Sequence, residues 1–394
     1  MENEAMTGEI FDRLIGQEDT VQTLTDAVAA ATSGAAGMTH AWLFTGPPGS
    51  GRSVAARAFA AALQCPNQGC GSCPACHTVL GGTHADVTHV IPDGVTIGVS
   101  VMRDLIGTAQ RAPGTGRWRV LVIEDADRLT EAAGNALLKS IEEPPERTVF
   151  LLCAPSSNPA EISVTIRSRC RLVPLRQPSV AAVARLLETR DGVDPSLARL
   201  CASAAQGHVG RAKRLATDPQ ARDRRDTVLG VPRQLSSVGA CFTAADAIIE
   251  ASESEATDAT KGQAEREIAE LETALGKGGT GKGASKATRG NAGQIKELER
   301  RQKMRLTRAQ RDTLDRALVD LAAFYRDVLI QGLGARVDPI HPDAAEAVTA
   351  AASRWSPESV IRRIDAILQC RIAIDRNVRP RIAVESMMLK LWQG

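Results

Sequence analysis

Trp118-Arg119-Val120-Leu121-Val122-Ile123-Glu124-Asp125 opens the stretch, running on to Cys170, whose reading decides the fold. Val120–Ile123 is an unbroken apolar run, the pattern of a strand buried on both faces of a sheet. Two acids follow at once, Glu124 and Asp125. Next comes an amphipathic helix, Asn135-Ala136-Leu137-Leu138-Lys139-Ser140-Ile141-Glu142-Glu143, which Pro144-Pro145 closes because proline cannot extend it. A second apolar strand, Val149-Phe150-Leu151-Leu152, leads through a short helical candidate to Ser168-Arg169-Cys170. Acids at the end of a buried strand lie where open α/β sheets bind ligands, outside the carboxyl ends of the strands. Spacing alone leaves one alternative, a generic α/β core with surface acids.

Upstream, His40-Ala41-Trp42-Leu43-Phe44-Thr45 reads as a strand entering Gly46-Pro47-Pro48-Gly49-Ser50-Gly51-Arg52-Ser53, and an Ala-rich helix, 54–63, follows. This is a P-loop frame, in which Gly46, Gly49 and Gly51 let backbone N–H groups curl around a phosphate and the next helix adds its positive end. The order strand, acid, helix, strand, arginine then matches the way a P-loop ATPase sets out its metal acid, polar sensor and projecting arginine. One residue breaks the frame. Position 52 should be Lys; Arg is bulkier and planar and does not deliver the same point charge to the phosphates.

Asn135 through Pro145 and Ser168-Arg169-Cys170 resemble the signature blocks of bacterial clamp-loader subunits, AAA+ proteins that open the sliding clamp. The resemblance implies an α/β P-loop AAA+ domain over 1–175, with a parallel sheet and flanking helices. A small helical lid over 176–228 and an all-α collar over 229–394 would follow. It also implies that Phe11-Asp12-Arg13-Leu14-Ile15-Gly16-Gln17-Glu18 lies against adenine; by itself that block is an extended lead into a helix. In the family's motor subunits the strand ends Asp-Glu, with Asp on Mg²⁺ and Glu on the attacking water. Here Glu124-Asp125 reverses the order, leaving one acid a methylene too long and the other a methylene too short. Misplacing a base by about 1 Å can cost on the order of 100-fold. Ala154-Pro155-Ser156 stands where the first sensor is usually Thr or Asn. Arg211 matches the second sensor, as a remnant or a weak phosphate contact. The three departures weigh against binding of ATP and Mg²⁺ and mark a degenerate site.

Ser168-Arg169-Cys170 is intact. The resemblance makes Arg169 an arginine finger acting in trans on the neighbouring motor's ATP, the alternative being a surface arginine near a strand end. A subunit that gives a finger but cannot fire its own site is similar to the family's stator, the delta-prime type. Its implied partners are motor gamma/tau and delta subunits in a hetero-pentamer, and, through the complex, the sliding clamp and primed DNA. The chain is then non-catalytic itself, within a DNA polymerase III holoenzyme. Asn377 through Glu385 is similar to the closing helix of the family's collar.

Directly after the P-loop helix, Cys65, Cys70, Cys73 and Cys76 place four thiols in twelve residues, with Gly69, Gly71 and Pro74 supplying turns. Four thiolates close a tetrahedral shell, so the spacing points to one structural Zn²⁺, with His77 and His84 as bystanders. Family members carry a zinc module here with a longer gap before the second Cys, which makes Cys65 the least secure ligand.

Length and charge set the remaining bounds. At 394 residues the chain is long enough for two or three domains, and its formal charge of +2 is low for a protein that wraps duplex. No apolar run reaches the roughly 18 residues of a membrane span, and no charged-then-apolar leader is expected. Nine cysteines, an odd number with four clustered, fit a reducing cytoplasm. Arg111, Arg117 and Arg119 suggest a basic edge, either solvated or touching nucleic acid. From 251 to about 309 the composition turns polar, and 276–293 holds seven glycines with Lys and Arg but no acid. That reads as a flexible insert, with 265–275 and 295–306 as charged helices able to pair across it. Apolar residues then recur at helical spacing from Leu314 to Leu329, over 360–368 behind a Ser356-Pro357 cap, and over 382–391. Two rival readings stand beside the stator: an ATP-hydrolysing gamma/tau-like motor that tolerates its variant residues, and a zinc-bearing DNA-binding adaptor using the basic insert.

Overall fold

A computed structural model describes residues 9–274 and 292–394. The chain divides into two compact units. The first runs up to Leu186 and takes in Gly207–Arg211; the second comprises Leu187–Gln206 and Ala212–Gly394.

In chain order the first unit contains α1 (Glu18–Ser33), β1 (Ala41–Thr45), α2 (Arg52–Gln64), α3 (Pro74–Leu80), β2 (Val87–Val90) and α4 (Val99–Ala109). It continues with β3 (Arg119–Ile123), α5 (Glu131–Glu142), β4 (Thr148–Ala154), α6 (Val164–Arg167) and β5 (Arg171–Pro174). The five strands form one parallel sheet in the order β2-β3-β4-β1-β5. β1, β3 and β4 are buried along their whole length, which is why Val120–Ile123 and Val149–Leu152 are continuously apolar. Side chains alternate between two cores. Trp42 and Phe44 join Phe59 and the α1, α2 and α3 residues on one face, with Trp42 edge-on to Phe59 at 4.9 Å; Leu43, Leu121 and Phe150 join α4, α5 and α6 on the other. Placing β4 between β1 and β3 puts its end, Ala154-Pro155, between the P-loop and the acids, and the Gly46 N–H donates to the Pro155 carbonyl at 3.1 Å.

The proposed basic edge takes a different form. Arg119 is buried and pairs with buried Asp86 at 3.0 Å, while donating to the carbonyls of Arg111, Ala85 and Ala112. Asp86 also accepts from the backbone of Gly114, Thr115 and Gly116. Burial opposes its charge, but these donors win and hold its carboxyl well below the usual range. Arg119 therefore anchors the loop 111–116 from inside, and Arg117 reaches the Cys65 carbonyl.

Between the sheet and the C-terminal helices come α7 (Val180–Asp191), α8 (Pro195–Ala204) and α9 (Val209–Thr217). The chain then forms α10 (Pro219–Gln234), α11 (Val238–Ala274), α12 (Ala292–Gly332), α13 (Ala345–Arg354), α14 (Pro357–Asp375) and α15 (Pro380–Gln393). The expected interruption from 251 is not where the helix ends: α11 runs unbroken to Ala274 and α12 is already helical from Ala292. The glycine-rich part, 275–291, lies outside the described residues. The two helices pair because one is acid-rich and the other base-rich where they meet. Arg305 meets Glu267 at 2.8 Å, Gln302 donates to the Ala264 carbonyl, and Thr313 to that of Ser252. Apolar residues of α10 to α15, with Phe324, Tyr325, Val384 and Met388 at the centre, form this unit's own core. Ser356 caps α14 through the Ser359 N–H with Pro357 in the first turn, as its sequence requires.

Beside that core lies a buried polar cluster. Arg225 grips Asp343 at 2.5 and 2.8 Å and donates to His341 Nδ1 at 2.8 Å. His341 Nε2 then donates to the Asp320 carbonyl at 3.1 Å, so the ring is neutral with its proton on Nε2. Burial and then Arg225 push its pKa down.

Candidate functional site

The P-loop follows β1 with the expected backbone: Gly46, Gly49 and Gly51 have φ of 158°, 87° and 91°, and α2 begins at Arg52. Positive φ at 49 and 51 is the region that favours glycine. Arg52 does not reach out from this loop; its Nη1 donates back to the Gly46 carbonyl at 2.8 Å. The segment carrying Arg211 lies over the same loop. A Cβ added at Gly49 would fall 2.6 Å from His208 Cγ, and the Arg211 N–H donates to His208 Nδ1 at 3.3 Å. The cradle is thus lined by its own chain, with a cation folded inward and an imidazole against the glycine.

Glu124 and Asp125 part company. Glu124 uses its length to meet His89 Nε2 at 2.7 Å. Burial works against its charge, yet His89, Ser53 and nearby Arg57 outweigh it and hold the carboxyl below its ordinary value. The acid that would help hold a metal in a working P-loop is therefore already paired with His89, and its charge is answered by side chains. Asp125 sits at φ 49°, ψ 52°, with its carboxylate 3.9 Å from Arg128. Asp127 is also drawn inward, and burial and then Asp125 push its pKa up. At the sensor position, the Ser156 Oγ accepts the Asn158 N–H at 3.0 Å and closes a local turn.

Arg169 has a different setting. It follows α6 and is exposed, and its Nε and Nη2 both meet Glu142 Oε1 at 2.6 Å. Its Nη1 donates to the Thr165 carbonyl at 3.0 Å and to Ser168 Oγ at 3.3 Å. Cys170 next to it is a half-buried thiol whose pKa burial raises to about 12, so it is packing and not a nucleophile.

The four clustered cysteines converge. The Sγ atoms of Cys65, Cys70, Cys73 and Cys76 all lie within 4.8 Å of one another, and Cys65 is 3.6 Å from Cys70 and 3.7 Å from Cys73. A tetrahedral shell with metal–sulfur bonds of about 2.3 Å has sulfur–sulfur edges of about 3.8 Å. The donor set fits a zinc ion, Cys65 included. Backbone N–H groups aim at two of the sulfurs: those of Asn67 and Cys70 at Cys65, and that of Cys76 at Cys73. Hydrogen bonds from Ser72 and then Cys73 lower the Cys70 pKa to about 6, whereas burial raises that of Cys76. The shorter gap between Cys65 and Cys70 is spanned by a turn with Gln68 at φ 57° and Gly69 at φ 110°.

Three participants escaped the sequence reading: His89, His208 and Glu142. Glu142 lies within the quoted helix, but nothing in the sequence singles it out as the partner of Arg169, since Arg147, Arg167 and Arg171 also follow it. His89 and His208 gave no signal, because they reach the loop only through strand order and the path of the chain.

A family model described as "DNA polymerase III, delta subunit" matches residues 16–179, which contain the sheet, the P-loop, the four cysteines and Arg169. Over these residues the chain is similar to clamp-loader subunits of bacterial DNA polymerase III. It is 34% identical over 206 residues to the DNA polymerase III subunit tau of Bacillus subtilis, covering 50% of this chain and 35% of that one. It is 38% identical over 160 residues to the subunit delta' of Haemophilus influenzae, covering 39% of this chain and 48% of the relative. The chain thus spans about a third to a half of the length of these relatives. A solved structure from Thermotoga maritima, described as a DNA polymerase III gamma subunit-related protein, is 14% identical with a TM-score of 0.44, covering 94% of this chain and 99% of that one. Among the described residues no helix is long and apolar enough to cross a membrane.

Proposed function

We propose that this chain is the stator, delta-prime-type subunit of a bacterial DNA polymerase III clamp loader, acting in the cytoplasm. In this reading 1–175 is the ATPase-like domain, 176–228 the lid and 229–394 the collar. The subunit takes its place beside gamma/tau motors and delta in a hetero-pentamer that loads the sliding clamp on primed DNA. Arg169 acts as an arginine finger in trans on the neighbouring motor's ATP, where such a residue is worth about 10³ to 10⁵ in rate. Cys65, Cys70, Cys73 and Cys76 hold one structural Zn²⁺, which ties the 65–76 knob to α2.

The observation that carries the proposal is the contrast between the two arginines. Arg52 is folded onto the Gly46 carbonyl beside an acid already paired with His89, while Arg169 stands exposed at the edge of the module. The test is Arg169→Ala in a complex reconstituted from this chain and the clamp-loader ATPases of its own organism. Turnover should fall by at least ten-fold; unchanged turnover would sink the finger. The motor reading draws on the longer match to tau, 206 residues against 160. It makes the opposite forecast for the isolated chain, namely phosphate release with Mg²⁺ that Arg52→Ala abolishes.

A further inference from the structure

An arginine that reaches a partner's phosphate has to be held, because its side chain carries about 2 kcal/mol of rotamer entropy and a guanidinium presents a fixed fork of donors. What holds Arg169 is visible. Glu142 ends α5 just before Pro144-Pro145, so its backbone is fixed by the helix on one side and by proline on the other. Its Oε1 takes both Nε and Nη2 of Arg169, each at 2.6 Å, which are the two nitrogens of one side of the fork. The opposite side is Nη1, whose contacts are the neutral Thr165 carbonyl at 3.0 Å and the Ser168 hydroxyl at 3.3 Å. Charge-assisted hydrogen bonds are roughly twice as strong as neutral ones. An incoming phosphate therefore displaces the Nη1 contacts far more readily than it displaces Glu142.

We infer that Glu142 is a positioning residue for Arg169: it clamps the Nε/Nη2 edge and leaves the Nη1/Nη2 end of the guanidinium to the terminal phosphate of a nucleotide bound by the adjacent subunit. The inference rests on the finger reading above and adds the residue that aims the finger. Both side chains are partly exposed, at 36% for Arg169 and 45% for Glu142, so the pair contributes little to folding stability. Its effect is geometric. A clamp of this kind acts on the rate at saturating nucleotide, because nucleotide binding itself is made by the neighbour's own loop.

The experiment compares Glu142→Ala, Glu142→Gln and Arg169→Ala in the reconstituted complex, reading kcat and KM for Mg-ATP together with co-elution of the subunits and thermal midpoint. Glu142→Ala should lower kcat by about ten-fold, with KM within about two-fold and assembly unchanged, since losing fixed geometry costs up to about 100-fold per ångström of misplacement. Glu142→Gln keeps an acceptor oxygen for Nε at the same length and should recover a large part of the loss. A kcat that stays level or rises in Glu142→Ala, while Arg169→Ala still falls, overturns the positioning role and leaves the finger standing. A flat result for Arg169→Ala removes both. If Glu142→Ala fails to assemble, Glu142→Leu decides, since it keeps the bulk and removes both acceptor oxygens: a complex that assembles with kcat equal to wild type overturns the role.

Discussion

Arg52 and Arg169 are two arginines in one module, set in opposite ways. Arg52 opens α2 and turns back onto its own loop, with His208 against Gly49 and Glu124 held by His89 and Ser53. Arg169 follows α6 at the surface, with one edge clamped by Glu142. On the P-loop side the charged groups are paired inside the module, whereas Arg169, though paired, lies exposed at the surface.

The contrast predicts that perturbations on the P-loop side read out in stability. The largest effect is expected from the cysteine cluster, which is joined to the end of α2. Cys76→Ala should bring the zinc content, measured by elemental analysis, from one ion per chain to near zero. It should also lower the thermal midpoint by many degrees, since structural zinc contributes on the order of 10 kcal/mol in small zinc modules. Full zinc loss with an unmoved midpoint would detach the knob from the module's stability.

Gly49→Ala comes next. Its Cβ would stand 2.6 Å from His208 Cγ at a φ of 87°. Strain and overpacking together should cost about 2–4 kcal/mol in denaturant unfolding. The double variant Gly49→Ala, His208→Gly should recover the packing share; no recovery would mean that the imidazole does not line the loop. Arg52→Ala removes one hydrogen bond, to Gly46, and should cost only about 1 kcal/mol while leaving turnover of the reconstituted complex within two-fold. A large fall in turnover there would break the comparison and favour the motor reading.

The smallest effect is in pH. The folded Glu124 carboxyl lies below its ordinary value of 4.5, so its stabilisation is present above pH 4.5 and is lost as pH falls through the folded value. Glu124→Gln should flatten that acid limb of the stability curve and leave neutral pH nearly unchanged. An identical acid limb in the variant would show that His89 and Ser53 do not stabilise the charge.

Much of the module was legible before any coordinates. Continuous apolar runs gave the buried strands, the glycine spacing gave the loop, and Pro144-Pro145 gave the end of α5 at Glu142. In the 251–309 stretch the charge pattern gives helices over 265–275 and 295–306 able to pair, but not their extent, because composition scores each helix for its own apolar content. α11 and α12 support one another through Arg305–Glu267 and Thr313–Ser252 contacts, which link residues 38 and 61 positions apart. Arg119 misled for a related reason: Asp86, its partner, is 33 residues upstream and reaches it only because β2 pairs with β3.

The sequence by itself determined the elements, the loop, the cysteine spacing and the intact Ser168-Arg169-Cys170, because helix and strand periods and turn residues are properties of neighbours along the chain. Tertiary structure alone decided that Cys65 joins the sulfur cluster and that Arg52 faces inward. It also decided that His89 answers Glu124 and that Glu142 holds Arg169. Each of these depends on strand order and helix packing, which bring together atoms that no local period relates, and there a few tenths of an ångström separate a ligand from a bystander.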